Sequence, residues 1–160
     1  MIVVTPCAKR ANSITDFRAD MSSLRVLVVE DFAPFSQLIC STLAERLDVQ
    51  VIGEVSDGLE AVHRAEQLKP DLILLDIGLP TLNGIEAARQ IRQLCPESRI
   101  IFVSQESDAD IVQEALSFGA LGYVLKTMAR GELLTAIRAV CDGKLFVGGG
   151  LSVPCVVETS

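Results

Sequence analysis

Short runs of aliphatic and β-branched residues alternate along the chain with longer segments in which apolar residues recur every three or four positions. The short runs are almost continuously apolar, which is typical of strands buried on both faces of a parallel sheet. They lie at residues 25–29, 49–55, 72–75, 100–104 and 122–125. The pattern therefore predicts five strands.

Segments with helical periodicity follow these runs, and most of them start with a residue that favours a helix N-terminus. Pro34 suits a first helical turn, and Asp57 with Glu60 forms a start similar to a capping box. Asn83 and Asp108 stand just before the next two periodic segments. The predicted helices cover residues 35–47, 59–68, 85–94, 111–118 and 133–141.

Five repeats of strand and helix predict an α/β fold, a doubly wound five-stranded parallel sheet with helices on both faces. We assign this domain to residues 23–143. Residues 1–22 lack a period and are expected to be a poorly ordered extension, in which Met21 is a candidate translation start. Residues 144–160 are expected to be a tail or a truncated linker. Such a sheet binds its ligands at the carboxyl ends of its strands.

Composition excludes several classes of protein. The 160 residues are 49% hydrophobic and carry a net charge of −7, so we expect one folded, acidic domain and no nucleic acid as its main partner. The five cysteines have no C-x-x-C spacing and there is one histidine, so neither a zinc site nor a disulfide framework is predicted. The N-terminus does not fit a signal peptide and no apolar run reaches the roughly 18 residues of a membrane span. We expect a soluble, cytoplasmic protein.

Polar side chains stand where four of the predicted strands end. Glu30 and Asp31 follow the first strand, and Asp76 follows the third. Three carboxylates in one small site repel one another unless a cation binds, and hard oxygen ligands suit Mg²⁺ or Mn²⁺. Ser104 supplies a hydroxyl at the fourth strand and Lys126 a positive charge after the fifth. This combination predicts a site that accepts and holds a phosphoryl group.

Together with their neighbours, these residues resemble the receiver domain of two-component response regulators. The matching segments are Val28-Val29-Glu30-Asp31, Leu74-Leu75-Asp76-Ile77-Gly78-Leu79-Pro80 with Asn83-Gly84, Ser104, and Gly122-Tyr123-Val124-Leu125-Lys126. The resemblance covers about residues 24–142, and the segments 85–88 and 143–147 are most similar to the LuxR-type (NarL/FixJ) branch. It implies a CheY-like, flavodoxin-like sheet with strand order 2-1-3-4-5.

The resemblance also implies which acidic residue accepts the phosphoryl group and which residues bind the metal ion. Asp76 would be the phosphoacceptor. Asp31 and Asp76 would bind Mg²⁺ directly, together with the backbone carbonyl of Gly78, and Glu30 would act through water. Because Gly78 stands where related phosphohydrolases carry an acidic residue, we expect a signalling phosphoacceptor and not an enzyme, with self-phosphorylation and self-dephosphorylation as its only chemistry.

For the switch, the resemblance implies that Ser104 and Lys126 contact the phosphoryl oxygens. Tyr123 matches the aromatic residue that turns inward when Ser104 moves toward the phosphate. The response would appear on the surface formed by the fourth helix, the fifth strand and the fifth helix. Two residues depart from the usual pattern: Gln105 is larger than the residue that often follows the serine, and Thr127 replaces a proline that often follows the lysine.

The implied function is a response regulator in a phosphorelay. A sensor histidine kinase or a phosphotransfer protein would supply the phosphoryl group, and a downstream protein or a second copy of the chain would respond. Two alternatives stay open: the receiver half of a truncated LuxR-type DNA-binding regulator, and a pseudo-receiver that works without phosphate. Nine residues follow Leu151, too few for a helix-turn-helix, so we expect no direct nucleic-acid binding by this chain and no membrane contact.

Overall fold

A computed structural model of the chain describes residues 23–151, which form a parallel six-stranded sheet. The strands are β1 (Leu24–Val29), β2 (Val49–Val55), β3 (Leu72–Leu75), β4 (Arg99–Ser104), β5 (Gly122–Leu125) and β6 (Phe146–Val147). Their order in the sheet is β2-β1-β3-β4-β5-β6. The helices are α1 (Ala33–Leu43), α2 (Gly58–Leu68), α3 (Gly84–Leu94), α4 (Ala109–Ser117) and α5 (Ala129–Cys141), with one 3-10 turn at Lys126–Met128. The predicted fold and strand order are confirmed, with one additional strand. The predictions for residues 1–22, Met21 included, and for residues 152–160 lie outside the described part of the chain.

The starts of α2, α3 and α4 follow the predicted capping residues, whereas α5 has no side-chain cap and begins at Ala129, before the predicted residue 133. The Asp57 carboxylate accepts the first free backbone N–H groups of α2, and the Asn83 side chain does the same for α3. The end of α1 was predicted wrongly, because the helix stops at Leu43 and Leu47 is 99% exposed in the following turn. Within residues 23–151, no helix is long and apolar enough to cross a membrane.

Both faces of the sheet are buried, which explains why the strands read as continuous apolar runs. Residues such as Leu27, Ile73 and Phe102 pack under α2, α3 and α4. Their neighbours along the strands, such as Leu74 and Val103, pack under α1 and α5. Alternate side chains of each strand therefore enter two separate clusters, and the sheet between them is held from both sides.

The sixth strand lies within the segment expected to be a tail or linker. Phe146 and Val147 pair with β5, and the Gly148 N–H donates to the Tyr123 carbonyl at 2.8 Å. The Gly149 N–H then donates to the Glu132 carboxylate on α5 at 3.0 Å. These bonds cover backbone groups on the outer edge of β5 that would otherwise be unpaired in the sheet.

The cysteines of the described residues, Cys40, Cys95 and Cys141, are free thiols. Burial raises the pKa of all three, that of Cys40 to about 11. Raised pKa values keep a thiol protonated and weakly nucleophilic at neutral pH. These cysteines therefore serve as small apolar residues in the packing of the helices.

Candidate functional site

The register of the sheet brings the predicted side chains to one edge. Val29 pairs with Leu75, so the residues that follow them, Glu30 and Asp76, leave β1 and β3 at the same level. Likewise Ser104 pairs with Leu125, the residue before Lys126. A cavity of about 600 Å³ opens at this edge. Its lining includes Asp31, Phe32, Phe35, Asp76, Ile77, Gly78, Ser104, Gln105, Glu106 and Lys126.

Three carboxylates lie close together at this edge of the sheet, and two of them, Asp31 and Asp76, line the cavity. Each of Glu30, Asp31 and Asp76 offers an oxygen, and these oxygens lie within 4.8 Å of one another. Glu30 and Asp76 are buried, whereas Asp31 is exposed. Desolvation by burial raises the pKa of Glu30, against the hydrogen bonds from the Lys126 ammonium and the Phe32 N–H, which favour its ionised form.

Lys126 bridges the two buried carboxylates. Its Nζ donates to Glu30 Oε2 at 3.0 Å and to Asp76 Oδ2 at 3.1 Å, and its side chain is 17% exposed. Burial opposes the charge on the ammonium, but the hydrogen bonds to Glu30 and Asp76 together outweigh it and raise the pKa of Lys126. The lysine is thereby held in its charged form against both carboxylates.

The charges of this group do not cancel. Three carboxylates and one ammonium leave two negative charges, which is the charge that one divalent cation would balance. Glu30 Oε1 is buried and forms an ion pair with the Lys126 nitrogen at 2.9 Å. An all-oxygen set of this kind fits a hard divalent cation such as Mg²⁺.

The backbone after Asp76 is tightly constrained. Asp76 Oδ1 accepts the N–H of Ile77 at 2.7 Å, and the Ile77 carbonyl accepts the N–H of Gly84 at 2.7 Å. A Cβ at Gly84 would lie 1.9 Å from the Asp76 carbonyl oxygen, so only glycine fits at the start of α3. In contrast, a Cβ at Gly78 would meet no atom within 4 Å, and this residue lines the cavity.

A second contact ties the same loop to α2. The Thr81 hydroxyl donates to Asp57 Oδ2 at 2.6 Å, and the Gly58 N–H donates to the Pro80 carbonyl at 3.2 Å. The hydrogen bond from Thr81 lowers the pKa of Asp57. Thr81 has a φ of 69°, in the left-handed region that a β-branched residue rarely adopts. Sequence reasoning found the capping role of Asp57 but not this link.

Ser104 and Tyr123 are joined through the backbone of Glu106. The Glu106 N–H donates to Ser104 Oγ at 3.1 Å, and the Tyr123 hydroxyl donates to the Glu106 carbonyl at 2.7 Å. Tyr123 is fully buried, and this burial raises its pKa to about 12.

Gln105 is exposed at the rim of the cavity, and the bond between Lys126 and Thr127 is trans.

One aromatic residue of the cavity was not singled out for this site by sequence reasoning. The ring of Phe35, in the first turn of α1, lies with its centroid 5.0 Å from Lys126 Nζ. From the sequence, Phe35 was expected on the apolar side of the first helix and, with Gln37 and Leu38, in the region that would determine specificity for a kinase. Its position directly after Pro34, four residues past Asp31, was the available signal that it also borders the strand ends.

The sequence of this chain is similar to those of known proteins. The family described as response regulator receiver domain matches residues 26–138. The transcriptional regulatory protein LiaR of Bacillus subtilis is 38% identical over 121 residues, which make up 76% of this chain and 57% of that protein. The chain spans about half the length of the curated relatives it matches.

Solved structures agree with the fold. A LuxR-family two-component response regulator from Aurantimonas sp. SI85-9A1 has a TM-score of 0.74 at 30% identity, over 78% of this chain and 89% of that chain. The response regulator domain of CheB from Thermotoga maritima has a TM-score of 0.70 at 38% identity, over 75% of this chain and 97% of that chain.

Proposed function

Because the chain belongs to the response regulator receiver domain family, we propose that it is a signalling phosphoacceptor whose modified residue is Asp76. The observation that carries this proposal is the position of the Asp76 carboxylate. It lies against the Lys126 ammonium and beside two other carboxylates, in a cavity wide enough for a small phosphodonor or the side chain of a donor protein. A sensor histidine kinase or a phosphotransfer protein is the proposed donor.

The proposed reaction is a phosphoryl transfer. An oxygen of Asp76 attacks the phosphorus of a phosphohistidine, a P–O bond forms as the P–N bond breaks, and the imidazole nitrogen keeps the electron pair and takes up a proton. Lys126 and the Ser104 hydroxyl would stabilise the charge on the phosphoryl oxygens. The chain thus acts as the acceptor of the group and not as an enzyme turning over a separate substrate, apart from the self-dephosphorylation of Asp76.

A divalent cation fits the acidic group of this site. We propose that Asp31 and Asp76 bind Mg²⁺ or Mn²⁺ directly together with the Gly78 carbonyl, while Glu30 acts through water. The bound ion would offset two negative charges and polarise the phosphoryl oxygens. The all-oxygen donor set and the two uncompensated negative charges of the cluster support this assignment.

The proposed output starts at Ser104. If its hydroxyl turns toward a phosphoryl group on Asp76, the Glu106 N–H loses its partner and the loop that holds the Tyr123 hydroxyl must adjust. The change would alter the surface formed by α4, β5 and α5, where a downstream protein or a second copy of the chain would bind. We place this signalling in the cytoplasm, where histidine kinases present their phosphoryl groups.

A second candidate function is the receiver part of a DNA-binding regulator of the LuxR type. LiaR is named a transcriptional regulatory protein, and its sequence extends well beyond the part matched here. In this case the α4–β5–α5 surface would act on a DNA-binding domain. Residues 23–151 themselves contain the receiver fold alone, so the proposed chemistry at Asp76 is the same in both candidates.

The test is the intact mass of the protein after incubation with acetyl phosphate and Mg²⁺. We expect one added phosphoryl group that requires Mg²⁺ and is lost in Asp76→Asn. Asp142→Asn is the matched control, since Asp142 is exposed just after α5 and is not one of the residues that line the cavity. Absence of an adduct in the wild type would overturn the phosphoacceptor proposal and favour an interaction module that works without phosphate.

A further inference from the structure

The ammonium of Lys126 has a different environment on each side. Glu30 and Asp76 accept hydrogen bonds on one side, and the face of the Phe35 ring, 5.0 Å from Nζ, covers another. Aromatic faces carry negative charge density and attract cations within about 6 Å of the ring centroid. The lysine is therefore attracted by the ring as well as by its two carboxylates.

Phe35 is held firmly enough to act as a fixed support. Its N–H donates to the Phe32 carbonyl at 3.0 Å in the first turn of α1, and Pro34 restricts the backbone there. The body of the ring is half-buried and packs against the apolar cluster under α1 and α5. The ring thus connects the packed interior to the one cation of the predicted site.

We propose that Phe35 is a positioning residue that holds the Lys126 ammonium at the Asp76 carboxylate through a cation–π contact. The inference rests on the proposed function, because positioning matters only if Asp76 receives a phosphoryl group. When that happens, Lys126 must exchange carboxylate partners for phosphoryl oxygens. The ring contact requires no such exchange, so it keeps the flexible side chain from turning into solvent while its other partners change.

The size of the effect follows from the strength of the contact. A cation–π contact of about 0.5–2 kcal/mol corresponds to a change of roughly 2- to 30-fold in the rate constant if it is lost in the transition state. We expect Phe35→Leu to slow phosphorylation by acetyl phosphate within this range. Leucine retains an apolar side chain against the cluster but has no aromatic face.

A second substitution separates the ring's charge distribution from its shape. Trifluorophenylalanine at position 35 keeps the ring but withdraws electron density from its face, and we expect it to slow phosphorylation as Phe35→Leu does. Phe146→Leu is the matched control, because Phe146 also packs half-buried against the same cluster but belongs to β6. Its phosphorylation rate should equal that of the wild type. Wild-type rates in both position-35 variants would overturn the proposal.

An NMR measurement tests the contact without any phosphorylation. Protons near the face of an aromatic ring are shifted upfield, so the Lys126 ε-methylene signals should lie upfield of those of other lysines and return to ordinary values in Phe35→Leu. Ordinary shifts in the wild type would refute the contact itself. An upfield shift in a protein that takes up no phosphoryl group would instead refute the proposed function while leaving the contact in place.

Discussion

Tyr123 should remain protonated well above the pH at which a free tyrosine ionises. It is the only tyrosine of the chain, and there is no tryptophan, so the absorbance of tyrosinate reports on this one side chain. The residue is fully buried and its hydroxyl donates to the Glu106 carbonyl at 2.7 Å. Burial raises its pKa to about 12, whereas an exposed tyrosine has a pKa of about 10.

The shift sets the size of the effect on stability. A group whose pKa is raised by folding stabilises the folded state fully below its unfolded pKa and loses that contribution as the pH rises toward the folded value. A difference of about 2 pKa units corresponds to roughly 3 kcal/mol. Between about pH 10 and 12, ionisation of Tyr123 should therefore lower the free energy of unfolding by up to that amount, by roughly 1.4 kcal/mol per pH unit.

Two assays measure this. Tyrosinate absorbance should appear near pH 12 in the folded protein and near pH 10 in urea. A urea titration followed by circular dichroism gives the free energy of unfolding at each pH. Tyr123→Phe is the control, because it retains the lysines and cysteines that also ionise in this range. At neutral pH this variant should be less stable by about 0.5–1.5 kcal/mol, the ordinary worth of one hydrogen bond. Tyrosinate formation near pH 10 in the folded protein, with parallel stability curves for the two proteins, would refute the reasoning.

Two further predictions concern the loop after Asp76. Gly84→Ala should destabilise the fold by about 1–3 kcal/mol, because its Cβ would meet the Asp76 carbonyl oxygen. The control is Gly131→Ala in α5, where a Cβ meets no atom within 4 Å, and it should stabilise the fold by up to about 1 kcal/mol. Equal urea midpoints for the two variants would contradict this difference in stability. The lowered pKa of Asp57 means that its ionised form stabilises the fold above the ordinary aspartate pKa and that this contribution is lost as the pH falls through the lowered value. The wild type should therefore have a higher melting temperature than Asp57→Asn at neutral pH and lose that advantage in acid. If the difference between the two melting temperatures did not depend on pH, it would argue against the role of the carboxylate.

Most of the fold could be predicted from the sequence, because strands that are buried on both faces consist almost entirely of apolar residues. The run at β3, for example, is predicted and observed at the same four residues, Leu72–Leu75. Capping residues such as Asn83 mark where helices begin. The end of α1 carried no such mark, and the apolar periodicity continued to Leu47 although the chain had already left the helix.

The candidate site was predictable as far as it depends on strand ends. Glu30, Asp76 and Lys126 each follow a strand directly, so the parallel sheet alone brings them together. No pattern in the sequence indicated the contacts between residues of different loops. The hydrogen bond from Thr81 to Asp57 does not follow from periodicity, and neither does the position of the Phe35 ring beside Lys126. Each contact depends on the exact path of two separate segments.

The short strand β6 continues the sheet past the end of α5. Composition alone suggests a boundary at residue 143, after α5. A piece of the chain cut at that boundary would lose the backbone partners of Leu121 and Tyr123, whose carbonyls accept the N–H groups of Phe146 and Gly148. It would present the outer edge of β5 as a template for pairing with other molecules. We therefore expect a fragment that keeps this edge covered to need the residues that resemble a linker.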